Sequence, residues 1–276
     1  MTVTRATPGA SSTASAAPKA PAPKRKRPAT LAIDIGGSGL KASVLDGAGA
    51  MLADRVRIPT TYPMPPDALV QALTQLVAQL PAFDRVSVGF PGMVRQGRVL
   101  TAPVFSTVSG PGSNLSPELE KAWSGYPLAD ALTARLERPT KVANDADLQG
   151  SAVVSGHGLE LVITLGTGFG TAMFHEGHLM PHLEIGHQPF RKGETYDNQL
   201  GEAARKKIGN AKWSKRVKQA VDNLHALMWF DHLYVGGGNG KHLKVDLGAK
   251  ATVVDNSAGI LGGIKLWERD SHQMAG

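Results

Sequence analysis

DIGGSGLK, Asp34 to Lys41, and TLGTGFGT, Thr164 to Thr171, about 130 residues further on, decide the fold of this chain. Each follows a short apolar run, Leu31 to Ile33 and Leu161 to Leu165, that reads as a strand. Several glycines in a turn leave backbone N–H groups unshielded, and such groups cradle phosphate oxygens. The first loop lacks the spacer and Lys-Ser/Thr ending of a P-loop, and its dinucleotide match is only the alanine variant Gly37, Gly39, Ala42 leading into a strand. One such loop is as readily a plain hairpin. Two at matching positions point to a phosphate clamp built from two halves. Ser38, Thr167 and Thr171 add hydroxyl donors, and Asp34 at the strand end is placed to hold a metal-bound water.

The order of elements around these loops predicts a two-lobed α/β fold. In the first half, strands are expected at Leu31 to Ile35, Ala42 to Leu45 and Met51 to Ile58. A helix over Pro66 to Leu80, a strand at Arg85 to Val88, a helix over Leu128 to Leu136 and a strand at Thr140 to Ala143 follow. The second half repeats the opening with strands at Leu161 to Leu165, Ala172 to His175 and His178 to Met180. Helices over Leu200 to Ile208 and Trp213 to Phe230 and a strand at His232 to Val235 come next, and Asn256 is a good N-cap for a last helix reaching Trp267. The expected divisions are a disordered tail over 1–28, lobes over 29–143 and 144–254, and a terminal helix over 255–276 packing back on the first lobe.

Charge is unevenly distributed. Net charge is +7, of which the acid-free residues 1 to 28 supply +6 through Arg5, Lys19, Lys24, Arg25, Lys26 and Arg27. Rich in Ala, Pro, Ser and Thr, that tail reads as a solvated extension; nuclear-import, nucleic-acid and transit-peptide readings have weaker support. From Arg191 to Lys218, nine Lys and Arg stand against three Asp and Glu, a net of +6. Arg205, Lys206, Lys207, Lys212, Lys215 and Arg216 are its central cations. From Trp213, Val217, Leu224, Leu227 and Met228 follow helical spacing, so a helix starts among these cations, which favours a polyanion. The chain has no cysteine, so disulfides and thiolate metal sites are excluded, and no apolar run approaches the roughly 20 residues that span a bilayer. A soluble, cytoplasmic protein is expected.

Six motifs in order then carry a resemblance: DIGGSGLK, VGFPG (Val88 to Gly92), NDAD (Asn144 to Asp147), LGTGFG (Leu165 to Gly170), ExGH (Glu184 to His187) and GGGN (Gly236 to Asn239). Over roughly residues 30 to 268 the chain resembles the ROK sugar kinases, and within them the polyphosphate-dependent glucokinases and glucomannokinases. The resemblance implies an actin-like, ribonuclease H-like fold of two related lobes closing over a cleft. It also implies phosphoryl transfer to the 6-hydroxyl of glucose or mannose, magnesium as cofactor, and a homodimer. Asp145, at a strand end, is the candidate general base; Asp147 is its rival if NDAD is extended, and the resemblance selects Asp145. Asn144, Asp145, Glu184, His187 and Gly92 are assigned to the sugar. Asp34, Gly36, Gly37, Ser38, Gly39, Lys41, Gly166, Thr167, Gly168 and Gly170 are assigned to phosphate, with Asp34 touching magnesium indirectly. Gly236, Gly237, Gly238 and Asn239 resemble a nucleotide-approaching turn, so ATP stands beside polyphosphate as donor. QPFRKGETYD after His187 lacks the cysteines of the structural zinc site found in many relatives, which excludes a zinc of that type. A different class, the sugar-responsive repressors, needs a helix-turn-helix that a 28-residue proline-rich tail cannot form. The third alternative is an ATP-dependent kinase for another hexose or an N-acetylhexosamine. No membrane and no specific nucleic acid are expected as partners.

Overall fold

The structure is a computed structural model and describes residues 28–254 and 258–268; the basic tail and the Asn256 cap fall outside these residues. The first lobe opens as an antiparallel meander of β1 (Thr30–Gly36), β2 (Gly39–Leu45) and β3 (Val56–Ile58). Helix α1 (Pro66–Val77) leads to β4 (Arg85–Phe90), parallel to β1. A hairpin of β5 (Val94–Arg95) and β6 (Arg98–Val99), then α2 (Pro117–Trp123) and α3 (Leu128–Leu136), lead to β7 (Thr140–Asn144), parallel to β4. Helix α4 (Asp145–Val153) crosses to the second lobe.

There the plan repeats. Strands β8 (Leu159–Leu165), β9 (Phe169–His175) and β10 (His178–Leu179) form the second meander. The hairpin of β11 (Pro189–Arg191) and β12 (Glu194–Thr195) precedes helices α5 (Tyr196–Leu200), α6 (Glu202–Ile208) and α7 (Asn210–Met228). Strands β13 (His232–Gly236) and β14 (Ala251–Val253) are parallel to β8 and to each other, and α8 (Ala258–Glu268) ends the described chain. The sheet orders, β3-β2-β1-β4-β7 and β10-β9-β8-β13-β14, are the same arrangement built twice. Each glycine loop is therefore the first hairpin of its sheet.

Alternation along β1 explains the layering. Leu31, Ile33 and Ile35 are buried with Leu69, Leu73 and Leu76 of α1 and Leu128 and Leu132 of α3. Each such leucine contributes about 1.5–3 kcal/mol of transfer free energy. Ala32 lies on the opposite face with Ile264 of α8. Helix α8 packs on β1, β4 and α4, and Ser87 Oγ donates to Gly263 O at 2.6 Å while Lys141 Nζ donates to Leu266 O at 3.0 Å. A Cβ on Gly262 would stand 1.7 Å from Leu148 O, so only glycine permits this crossing. Helix α4 also reaches β9, where Ala146 joins Val162, Ala172 and Phe174. The helix therefore links both sheets.

The structure corrects several expectations. Met51 makes only a bridge to Leu45, and the strand starts at Val56, because Asp46 Oδ1 accepts from Ala48 N and Ala50 N and closes a turn. The helix expected over Leu200 to Ile208 is split at Gly201, where a Cβ would meet Thr167 O at 2.4 Å. NDAD is not extended: α4 begins at Asp145. Leu227, expected on the apolar stripe, is 75% exposed; Trp213, Val217, Ala220, Val221 and Leu224 form the buried face. No described helix is long and apolar enough to cross a membrane.

Candidate active site between the lobes

In the first loop Gly36 pairs with Gly39 across the hairpin. Thr60 Oγ1 donates to Gly36 O at 2.6 Å and the Tyr62 hydroxyl donates to Gly37 O at 2.8 Å. Because a trans peptide sets N–H opposite C=O, anchoring these carbonyls turns the Gly37 and Ser38 N–H groups away from Thr60 and Tyr62. A Cβ on Gly37 would lie 2.7 Å from Val104 Cγ1, and one on Gly39 2.9 Å from Arg57 Nε. The loop is thus held tightly from one side, and Ser38 stands exposed at its tip. Asp34 and Lys41 face each other in register on β1 and β2 and form a 2.7 Å ion pair.

The second loop is fixed from behind. Gly166 N donates to Gly168 O at 3.1 Å, and Phe169 N donates to Asp197 Oδ1 at 2.6 Å. Gly166 O accepts from Glu202 N at 3.0 Å and from Asn239 Nδ2 at 2.9 Å. The break at Gly201 is what lets the first turn of α6 reach the loop. The turn Gly236 to Asn239 packs against the same loop: Asn239 N donates to Leu165 O at 2.9 Å, and Gly237 has φ +85°. Nothing lies within 4 Å of the position a Gly166 Cβ would take, and Thr167 is exposed, so the loop keeps an open face. Thr171 does not serve that face, contrary to expectation. Its hydroxyl is buried and donates to Leu183 O at 2.9 Å.

The α4 terminus brings the acidic residues together. Asn144 is the N-cap: its Oδ1 accepts from Ala146 N at 2.8 Å, while its Nδ2 donates to Gly92 O at 3.0 Å. Both arms of Asn144, assigned to sugar from the motif, therefore also brace the protein, leaving one N–H and one lone pair for a ligand. The Gly92 carbonyl is engaged in the same brace, and a Cβ there would lie 2.2 Å from Thr101 O. Asp145, the first residue of the helix, is pushed up to about 6 by burial, against a hydrogen bond from Ala146 N; the charges of Asp34, Asp147 and Glu184 push the same way.

Asp147 turns to His182 instead, with Oδ1 at 2.9 Å from Nδ1 in a pair only 4% and 3% exposed. His182 Nε2 lies 3.6 Å from Glu184 Oε1. Burial opposes a charge on His182, but the two carboxylates outweigh it and push its pKa up to about 9. Glu184 is held below its ordinary value, first by His182. His187 is 56% exposed with Nε2 3.7 Å from Asp197 Oδ2, and its charge also reaches Glu184. His182 and Asp197 carry no motif of their own and were not singled out from the sequence.

The basic segment touches the second loop at the start of α6, where Glu202 N donates to Gly166 O. Arg205 is mostly buried, with Nη1 donating to Asn210 Oδ1 at 3.0 Å and Nη2 3.7 Å from Glu202 Oε1, which Lys206 Nζ also meets at 3.0 Å. Lys207, Lys212 and Lys215 are exposed. Arg216 is lowered by partial burial and then by Arg191 beside it. His242 is lowered by desolvation, then by Arg205, Lys241 and Lys244, so the cation cluster extends beyond Lys218 into the segment after GGGN. Lys241 and Lys244 lie outside the stretch read from sequence and join it only through folding.

Magnesium is the metal the resemblance implies. Among the described residues no three His, Cys, Asp or Glu converge as a ligand set, whereas Asp34 presents a half-exposed carboxylate beside the first loop. That fits magnesium, which keeps several waters and binds through one or two carboxylates plus substrate phosphates.

The ROK family profile matches residues 30–198. A polyphosphate glucokinase of Mycobacterium tuberculosis is 29% identical over 215 residues, covering 75% of this chain and 76% of the relative. An N-acetylmannosamine kinase of Escherichia coli is 33% identical over 156 residues, 55% of this chain and 49% of the relative. The crystal structure of an inorganic polyphosphate/ATP-glucomannokinase from Arthrobacter sp. strain KM aligns with a TM-score of 0.72 at 30% identity, covering 88% of this chain and 99% of that one. The chain belongs to the ROK family and has the two-lobed, actin-like fold of its sugar kinases.

Proposed function

We propose that this protein transfers the terminal phosphoryl group of inorganic polyphosphate to the 6-hydroxyl of glucose, with mannose as a second acceptor and ATP as a second donor. The reading is carried by Asp145, the first residue of α4, set directly after the end of β7 and the Asn144 cap, with burial pushing its carboxyl up to about 6. A carboxylate with that poise is ionised at neutral pH and basic enough to accept a proton in the transition state. As the sugar O6–P bond forms, the terminal phosphoanhydride P–O bond breaks, the hydroxyl proton passes to Asp145, and polyphosphate leaves one unit shorter. Magnesium, when bound with the donor, neutralises phosphate charge. Asn144 and Glu184 hold and orient the hexose, His187 stands at its exposed side, and the Gly37, Ser38 and Gly166 to Gly168 backbone receives the phosphates.

The donor choice rests on charge. A long phosphate chain gains from every cation along its path, and α6, whose first turn holds the second loop, carries Arg205, Lys206 and Lys207, with Lys212 and Lys215 following on α7. Glu202 offsets Arg205 and Lys206; the exposed Lys206 pair is worth about 0–1 kcal/mol and yields readily to phosphate, whereas Arg205 is mostly buried. The similarity to polyphosphate glucokinases and to the polyphosphate/ATP-glucomannokinase supports the same choice. Similarity to N-acetylmannosamine kinases keeps a second reading, an ATP-dependent kinase for an N-acetylated hexose.

A coupled assay with a panel of hexoses and both donors tests the proposal. Hexose 6-phosphate should form from glucose and polyphosphate; turnover of N-acetylmannosamine with ATP alone supports the second reading instead. Reversing charge at Lys206, Lys207 and Lys215 together should raise the polyphosphate KM by about tenfold or more at low salt and leave the glucose KM unchanged. A rise in the glucose KM alone would place the donor path elsewhere.

A further inference from the structure

His182 is the buried group that the phosphoryl-transfer scheme leaves without a task. It sits between β10 and Glu184, on the second lobe, and reaches across to Asp147 on α4. The acids that face it are Asp147 from α4 and Glu184 from its own segment, and the charges of both also act on Asp145. Gathering them where water is scarce is costly unless a cation lies among them, and His182 supplies it at 3% exposure.

Its two ring nitrogens are unequally engaged. Nδ1 is at 2.9 Å from Asp147, a full hydrogen bond, whereas Nε2 is buried, has no hydrogen-bond partner, and stands 3.6 Å from Glu184 Oε1. A buried N–H left unmatched is unfavourable, so closing that gap is favourable once Glu184 is drawn inward. Glu184 is 27% exposed and so still presents part of its carboxylate to a ligand. A carboxylate anchored through one oxygen is better ordered for accepting two neighbouring sugar hydroxyls through the other.

We propose that His182 is a positioning residue for the sugar: anchored by Asp147, it holds Glu184 as an oriented, ionised acceptor of hexose hydroxyls. The inference rests on the assignment of Glu184 to the hexose. It assigns Asp147 a matching duty, as the anchor of His182 rather than a second base.

The test measures glucose and polyphosphate KM, kcat and melting temperature for His182→Gln, His182→Ala, Asp147→Asn and Glu184→Gln, with glucose affinity by calorimetry across pH 6 to 10. His182→Gln should raise the glucose KM about tenfold and His182→Ala up to about 100-fold, the range expected when a charge-assisted hydrogen bond is lost, with the polyphosphate KM within about twofold. In the native protein glucose affinity should fall as pH rises through about 9, where His182 loses its proton. That limb should vanish in His182→Gln and move to lower pH in Asp147→Asn. An unchanged glucose KM and an intact alkaline limb in His182→Gln, with Glu184→Gln impaired, overturn the role of His182 alone. An unchanged glucose KM in Glu184→Gln overturns both this inference and the sugar assignment beneath it.

Discussion

Asp145→Asn lowers kcat by about 100- to 10,000-fold and leaves the glucose KM within a few fold, the loss expected when a general base is removed without disturbing its surroundings. The amide is the same size and can keep the contact with Ala146 N that Oδ1 makes at 2.8 Å. What disappears is the proton acceptor. In the unsubstituted protein the acid limb of kcat/KM for glucose should fall near pH 6, the value to which burial and the neighbouring acids push this carboxyl. The same shift opposes stability. From an ordinary 3.8 to about 6 the folded state holds the proton more tightly than the unfolded chain, so stability falls as pH rises across that interval and the ionised group remains a cost above it. Asp145→Asn removes that cost, so the inactive variant should melt higher than its parent at pH 7. A variant that keeps more than about a tenth of its kcat would contradict the assignment.

The second large effect is expected at Gly237→Ala, in the turn packed against Leu165. Gly237 has φ +85°, and a Cβ there would stand 2.3 Å from Leu165 O and 2.5 Å from Leu165 N. Left-handed backbone at a non-glycine residue costs about 1–2 kcal/mol, and displacing a packed segment adds about 1–3 kcal/mol. The turn cannot shift without loosening Asn239, whose side chain holds Gly166 O and whose backbone holds Leu165 O. The melting temperature should fall on the order of 10 °C for a chain of this size. Among molecules that remain folded, the donor KM should rise while the glucose KM holds, because the loss lies behind the phosphate loop. A variant with wild-type melting temperature and donor KM would show that the turn does not brace the loop.

These two sites mark how far the sequence was legible. The glycine loops and apolar runs predict all five strands of the first sheet and four of the second, because short apolar runs before turns are a local signal; β14 (Ala251–Val253) carries too little of that signal and was missed. Asp145 and Glu184 were named from motifs. The start of α4 carries its own signal, Asn144 as N-cap and acids in the first turn, yet the strand just before it outweighs that signal in a linear reading. His182 has no comparable mark: a lone histidine reads as ordinary until folding sets it between Asp147 and Glu184. The break between α5 and α6 at Gly201 comes from the approach of Thr167 O, a tertiary contact absent from helix propensity. Lys241 and Lys244 join the cation cluster only because β13 returns the chain to the second loop. The turn Gly236 to Asn239, read as approaching a nucleotide, proves to be a brace for that loop as well.

Phosphorus NMR of the purified protein with glucose, magnesium and long-chain polyphosphate, free of nucleotide, tests the account most directly. The account predicts a hexose 6-phosphate resonance growing with the loss of polyphosphate phosphoryl groups, at a rate that collapses in Asp145→Asn. Absence of that resonance, with rapid product formation when ATP replaces polyphosphate, would contradict it.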